Sequence, residues 1–163
     1  ITYLNSKNAK WKTMIDDTTW YVGGMTLEDG MKTNAKTAYN YEVGANKDAS
    51  TTVISKIGLM YVSDYYYAAS KDYWTLPGYD NNYAKDYRKS INDNWLYLGL
   101  NEWTISQNAS NSYGAFSIVN AGQVQWARTY ISVGHAARPV FNLLPSVNFV
   151  SGDGSSNSPY RIS

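Results

Sequence analysis

A chain of 163 residues with 14 Lys or Arg against 13 Asp or Glu fits a single domain over 1–163 and lacks the basic stripe that nucleic acid or an anionic membrane surface demands. The absence of cysteine excludes thiol catalysis, zinc–thiolate sites and disulfides, and leaves the redox compartment open. Charged residues are only 17% of the chain, so polarity comes from hydroxyls and amides beside 16 Tyr and 6 Trp. That palette offers stiff, amphipathic contact surface at low rotamer cost, and equally suits a β-rich fold that fills its strands with rings.

The chain opens on strand-like "ITYLN", which predicts that a leader or anchor has been removed ahead of it. "SKNAKWKTMIDD" places Ala9, Trp11 or Lys12, and Met14 or Ile15 at helical spacing behind a Ser6 cap, so a short amphipathic helix is expected. "TTWYVGG" reads as a strand closed by Gly23 and Gly24. Residues 25–50 read as a long surface excursion with a little helix in "LEDGMKTNAKTAYNYE". "STTVISKIGLMYVS" has strand composition, with "IGLMYV" suited to a central buried strand. Ser63 is the predicted cap of a second helix, "SDYYYAAS", which spreads Tyr65, Tyr66 and Tyr67 around its circumference, some buried and at least one wet.

Residues 71–94 read as loop, with a turn at Pro77-Gly78 and a helical turn near "AKDYRKS". "WLYLGLNEWTIS", "GAFSIVN", "QVQWARTYI" and "RPVFNLL" then read as strands, and "VSGDGSSNSPYRI" as a Gly/Ser turn feeding a last short strand. Helices early and an antiparallel sheet late make the expected class α+β.

"TTWYVGG", "KIGLMYVSDYYYA", "NDNWLY", "NEWTIS", "GAF.IVN..G.V", "ARPVFNL" and "GDGSS.SPYRI", in that order, resemble bacterial, Firmicutes-type surface proteins with a C-type-lectin-like domain. Those proteins are related in fold to the formylglycine-generating enzymes and to diversity-generating-retroelement variable proteins. The resemblance implies a C-type-lectin-like α+β domain with two early helices, a late small antiparallel sheet, long loops and neighbouring chain ends. It makes Trp103 of "NEWT" a core residue and matches Gly114, Phe116, Val119, Gly122 and Val124 to one strand pair, and Arg138, Pro139 and Phe141 to the closing strand. Formylglycine generation depends on paired copper-binding cysteines, and this chain has none, so that activity does not transfer. The mid-chain Cys pair that such members often carry is missing too.

Catalytic patterns are thin. The one histidine, His135, has no G-x-S-x-G partner motif, and it reads more readily as a hydrogen-bonding loop residue than as a base. Asp16/Asp17 and Glu28/Asp29 are adjacent acids of the kind that cap helices or sit solvated, whereas a glycosidase needs two carboxylates facing across a cleft. "GDGSS" lacks the Lys of a phosphate loop, and Asp153, Ser155 and Asn157 lack the distal Glu of a calcium loop, so a plain turn and no metal or cofactor are expected. Asn108–Ser110 is a formal glycosylation sequon.

Binding is the stronger reading. Asn108, Asn111 and Tyr113 of the "SQNASNSY" loop, with Asn120, Gln123, Gln125, Trp126, Arg128, Tyr130 and His135, form the expected ligand-facing set. Flat rings stack on apolar faces while amides take hydroxyls, as a sugar or protein epitope requires. Trp126 stands equally as a core residue beneath amides that only solvate a sheet. In the variable-protein relatives this late region carries the ligand-facing residues, so the resemblance implies a non-catalytic, extracellular or cell-surface adhesin- or receptor-like domain that binds a protein or glycan. The alternative is a structural subunit whose same surfaces make contacts in a filament.

Overall fold

The computed structural model describes residues 11–26, 33–75, 91–129 and 134–163, with backbone alone at Arg128. Expectations for the Ser6 cap, Glu28/Asp29, Pro77-Gly78, "AKDYRKS" and Tyr130 fall outside the described residues. The fold mixes short helices with small antiparallel sheets, as the α+β class requires. In chain order the elements are α1 (Trp11–Met14), β1 (Thr18–Tyr21), α2 (Ala35–Glu42), β2 (Thr52–Ser55), β3 (Gly58–Leu59), α3 (Val62–Tyr67), a 3-10 turn (Lys71–Tyr73), β4 (Glu102–Gln107), β5 (Gly114–Ile118), β6 (Val124–Arg128), β7 (Pro139–Val140), β8 (Phe149–Ser151) and β9 (Arg161–Ile162). Among the described residues β1 pairs with β2, β3 with β7, β4–β5–β6 form one sheet, and β8 pairs with β9.

Internal contacts divide the chain into two compact units. The smaller takes in the described part of Ile1–Thr18 with Ile54–Ile57 and Phe141–Ser163. There Trp11 meets Phe141 edge-on at 5.6 Å, buried Ile15 bridges Leu143, and Lys56 reaches both the Ile15 carbonyl (2.9 Å) and Asp17 (3.2 Å). Asp17 is therefore a solvated partner of a lysine. Its β8–β9 hairpin turns through Asp153, whose Oδ1 accepts the Ser155 N–H at 2.9 Å and so closes the turn locally.

The larger unit, Thr19–Val53 with Gly58–Val140, is built on a core of Met25, Ala35, Ala38, Met60, Val62, Tyr65, Tyr66, Phe116, Ile118 and Val124. Asn34 starts α2 by accepting the Thr37 N–H, and the helix buries Ala35 and Ala38 at spacing three. α3 begins earlier than expected: Tyr61 is its cap residue, and Ser63 lies inside the first turn. The orphan N–H groups there are taken by carboxylates, Asp64 accepting from Tyr61, and Glu42 of α2 from Val62 and Ser63, so no hydroxyl cap is needed. Tyr65 and Tyr66 are buried, while Tyr67 is half-buried and edge-on to Trp74 at 4.9 Å.

Two further expectations change. "IGLMYV" is not one central strand, since β3 has two residues and Met60 to Val62 lead straight into the helix. Trp95 to Leu100 is not strand but a pinned loop: Asn94 holds the Tyr65 carbonyl and the Leu96 N–H, and Arg138 holds the Leu96 carbonyl at 2.7 Å. Trp95, Leu98 and Leu100 consequently face outward at 77%, 58% and 51% exposure.

β5 is the middle strand, with Phe116 opposite Trp126, Ile118 opposite Val124, and Ser117 between Trp103 and Gln125. Period-two alternation sends Phe116, Ile118 and Val124 to the core with Glu102, Thr104 and Ser106, and puts Trp103, Ser117 and Gln125 on the other face. The 134–138 segment runs along the free edge of β4, exchanging backbone hydrogen bonds from Trp103 and Asn101 with Ala136.

Candidate functional site

Asn108 and Asn111 shape the loop they were expected to decorate. The Asn108 side chain is buried and its Oδ1 accepts the Ser110 N–H at 2.9 Å; the Asn111 Oδ1 accepts the Tyr113 N–H at 3.1 Å. Backbone bonds from Asn108 to Gly114, Asn111 to Asn108 and Gly114 to Asn111 close the turn, and Thr129 donates through both N–H and hydroxyl to the Tyr113 carbonyl. What the loop presents is Tyr113, 44% exposed, with Ser110 and Ser112. A tyrosine held at low residual entropy is a good contact group.

Trp126 resolves to the core side. It is half-buried against the core cluster, opposite Phe116, with its ring across Gly114, where a Cβ would lie 1.8 Å from its Nε1. Only glycine lets the ring lie there. Tyr113 approaches it at 6.5 Å with the rings inclined by 56°, so Trp126 supports the exposed tyrosine from behind.

Gln123 is also corrected: it is buried, at 6% exposure, because fully buried Tyr65 donates its hydroxyl to the Gly122 carbonyl (3.0 Å) and draws the β5–β6 turn onto the core. Half-buried Gln125 gives its amide to Gln123 Oε1 at 3.1 Å. The row Trp103–Ser117–Gln125 on the non-core face has a buried centre, since Ser117 has no exposure. Trp103 lies on this face, half-buried, not in the core, with His135 stacked on it at 4.3 Å and 27°.

Asn120 is exposed at the far end of β5, about 20 Å of extended chain from Tyr113. Its N–H donates to Asn101 Oδ1 (2.8 Å) and its carbonyl accepts the Tyr97 hydroxyl (2.8 Å). The expected set is thus distributed, with Asn111 and Tyr113 at one end of the sheet, Asn120 at the other, and Gln125 with His135 on the partly closed face. Arg128 contributes a described backbone opposite Gly114, and its side chain lies outside the described part.

Sequence reasoning missed two carboxylates that are buried among the described residues of this unit. Glu102 makes a two-pronged ion pair with Arg138, Nε to Oε1 at 3.1 Å and Nη2 to Oε2 at 2.5 Å. Glu42 accepts from the Val62 N–H (2.9 Å), the Ser63 N–H (2.9 Å) and the Ser106 hydroxyl, and burial pushes its carboxyl up to about 7. No local signal marked either one, because their partners lie at separations of 36, and of 20 to 64, residues. Among the described residues no group of three or more His, Asp or Glu could hold a metal, and no helix is long and apolar enough to cross a membrane.

Compared with known proteins, the chain matches no family model, no curated protein and no solved structure.

Proposed function

We propose that this chain is a non-catalytic, extracellular or cell-surface recognition domain of C-type-lectin-like fold from a bacterial surface or pilus-like protein, engaging a protein or glycan ligand through the Asn108–Tyr113 loop. The observation that carries the reading is the loop itself: two asparagine side-chain bonds and three backbone bonds hold one shape, and that shape leaves Tyr113, Ser110 and Ser112 outward. Preorganised tyrosine and hydroxyl groups favour binding because little freedom remains to be lost. The strongly displaced carboxyl, Glu42, is spent on helix and strand hydrogen bonds, which supports recognition over catalysis. Tyr113→Ala is expected to leave the melting temperature within the small range of surface substitutions, about 0.5 kcal/mol in stability, and to abolish binding on glycan and cell-surface protein arrays. Unchanged array binding by that variant would overturn the assignment to this loop.

A filament-subunit reading rests on a different observation. The β8–β9 hairpin leaves Phe149 and Tyr160 exposed at 64% and 66%, edge-on to each other at 6.0 Å, beside exposed Val150. Apolar rings displayed together suit a neighbouring subunit. Sedimentation that finds only monomer at high concentration counts against it.

A further inference from the structure

The Glu42 carboxyl is the meeting point of three elements of the larger unit. It leaves the last residue of α2, satisfies the first two N–H groups of α3, and takes the Ser106 hydroxyl from β4. Val62 N–H lies between two acceptors, Glu42 Oε1 at 2.9 Å and Ser106 Oγ at 3.1 Å. This network accommodates a proton. With Oε1 protonated, Oε2 continues to accept from Ser63, and the Val62 N–H keeps Ser106 Oγ as its alternative acceptor.

The Val62 and Ser63 N–H groups and the Ser106 hydroxyl soften the cost of ionising Glu42 without a counter-charge. Among the described residues the ion pairs are Lys56 with Asp17 and Arg138 with Glu102, and neither involves Glu42. Among the described residues the Tyr61 phenol at the start of α3 is the titratable group that interacts with it, itself pushed up to about 12 by burial and, less, by the Glu42 charge. β4 supplies only the uncharged Ser106. Among the described residues a carboxylate here is desolvated, with dipoles but no cation for company.

We propose that Glu42 is a proton-operated latch: protonated, it joins the end of α2, the first turn of α3 and the Ser106 end of β4, and ionised, it lets that junction loosen. The inference is independent of the recognition reading, since no ligand enters it. Its direction follows from the burial that holds the folded carboxyl at about 7 against an ordinary 4.5. The stabilisation is complete below the unfolded value and is lost as pH rises through the folded one.

Urea unfolding of the full chain and its Glu42→Gln variant at about pH 5 and about pH 8 provides the test. Gln can place its carbonyl toward Ser63 and its amide toward Ser106, imitating the protonated state. The wild type is expected to lose on the order of 50-fold more of its folded-to-unfolded ratio across this interval than the variant; equal losses overturn the proposal. Loosening of the junction is read separately by hydrogen exchange, corrected for intrinsic rates, at the Val62 and Ser63 amides. These are expected to lose protection with rising pH, and constant protection overturns the latch even where stability changes. Should Glu42→Gln fail to fold, the carboxylic-acid infrared band of glutamate-labelled wild type decides: a band that titrates near neutrality supports the latch, and its absence above about pH 6 removes it.

Discussion

The two ends of β4 each meet a buried glutamate, both 2% exposed, in contrasting company. At the first residue Glu102 is matched by the planar fork of Arg138, which also ties down the Leu96 carbonyl. Near the other end Ser106 meets Glu42, which is surrounded by N–H and hydroxyl dipoles and held up to about 7 by burial. A carboxylate met by a cation has its charge offset where it is buried, whereas one met by dipoles alone keeps the cost of its burial. Burial by itself therefore says little about what a carboxylate does; its partners decide.

Breaking the compensated end has the largest expected effect. Arg138→Met leaves Glu102 buried without its cation and is expected to cost about 3–5 kcal/mol by urea unfolding, much of it recovered in the Glu102→Leu/Arg138→Met pair. A double variant no more stable than the single would remove the contrast. At the uncompensated end, wild-type stability is expected to fall by up to ~3 kcal/mol as pH rises from about 5 to 8, because the folded state keeps a proton the unfolded chain has already released. Ser106→Ala sharpens the same point: the hydroxyl lowers the Glu42 value, so its removal should move the midpoint of that fall to higher pH at about 1 kcal/mol of stability. The smallest effect belongs to exposed Asp48, held at about 2 by Ser50 and Thr51. Its contribution is present above the ordinary carboxylate range and disappears as pH falls toward about 2, so Asp48→Asn should lower the melting temperature slightly near neutral pH and converge with the wild type on the acid limb.

The parts of the fold legible in sequence were those decided locally. β5 and β6 show their alternation directly, and Phe116, Ile118 and Val124 face the core as period two requires. The start of α3 was misplaced because its true caps are carboxylates, one of them Glu42, 20 residues upstream of Val62. Trp95 to Leu100 has strand composition, yet Asn94 and Arg138 fix it as a loop. Trp103 went the same way, since a single register choice sent it to the face where His135 stacks. The candidate site was legible as a region and not as a surface. Amides at 108 and 111 advertise hydrogen bonding, but a sequence does not reveal whether the partner is a ligand or the backbone two residues on.

The interred amide of Asn108 bears on how the protein is produced. Its sequon is usable only by an enzyme that meets the chain before it folds, and the sugar would then occupy a side chain that the native turn keeps at 4% exposure. Secretion through a eukaryotic glycosylation pathway should accordingly yield a modified, poorly folding fraction, and a bacterial host avoids it.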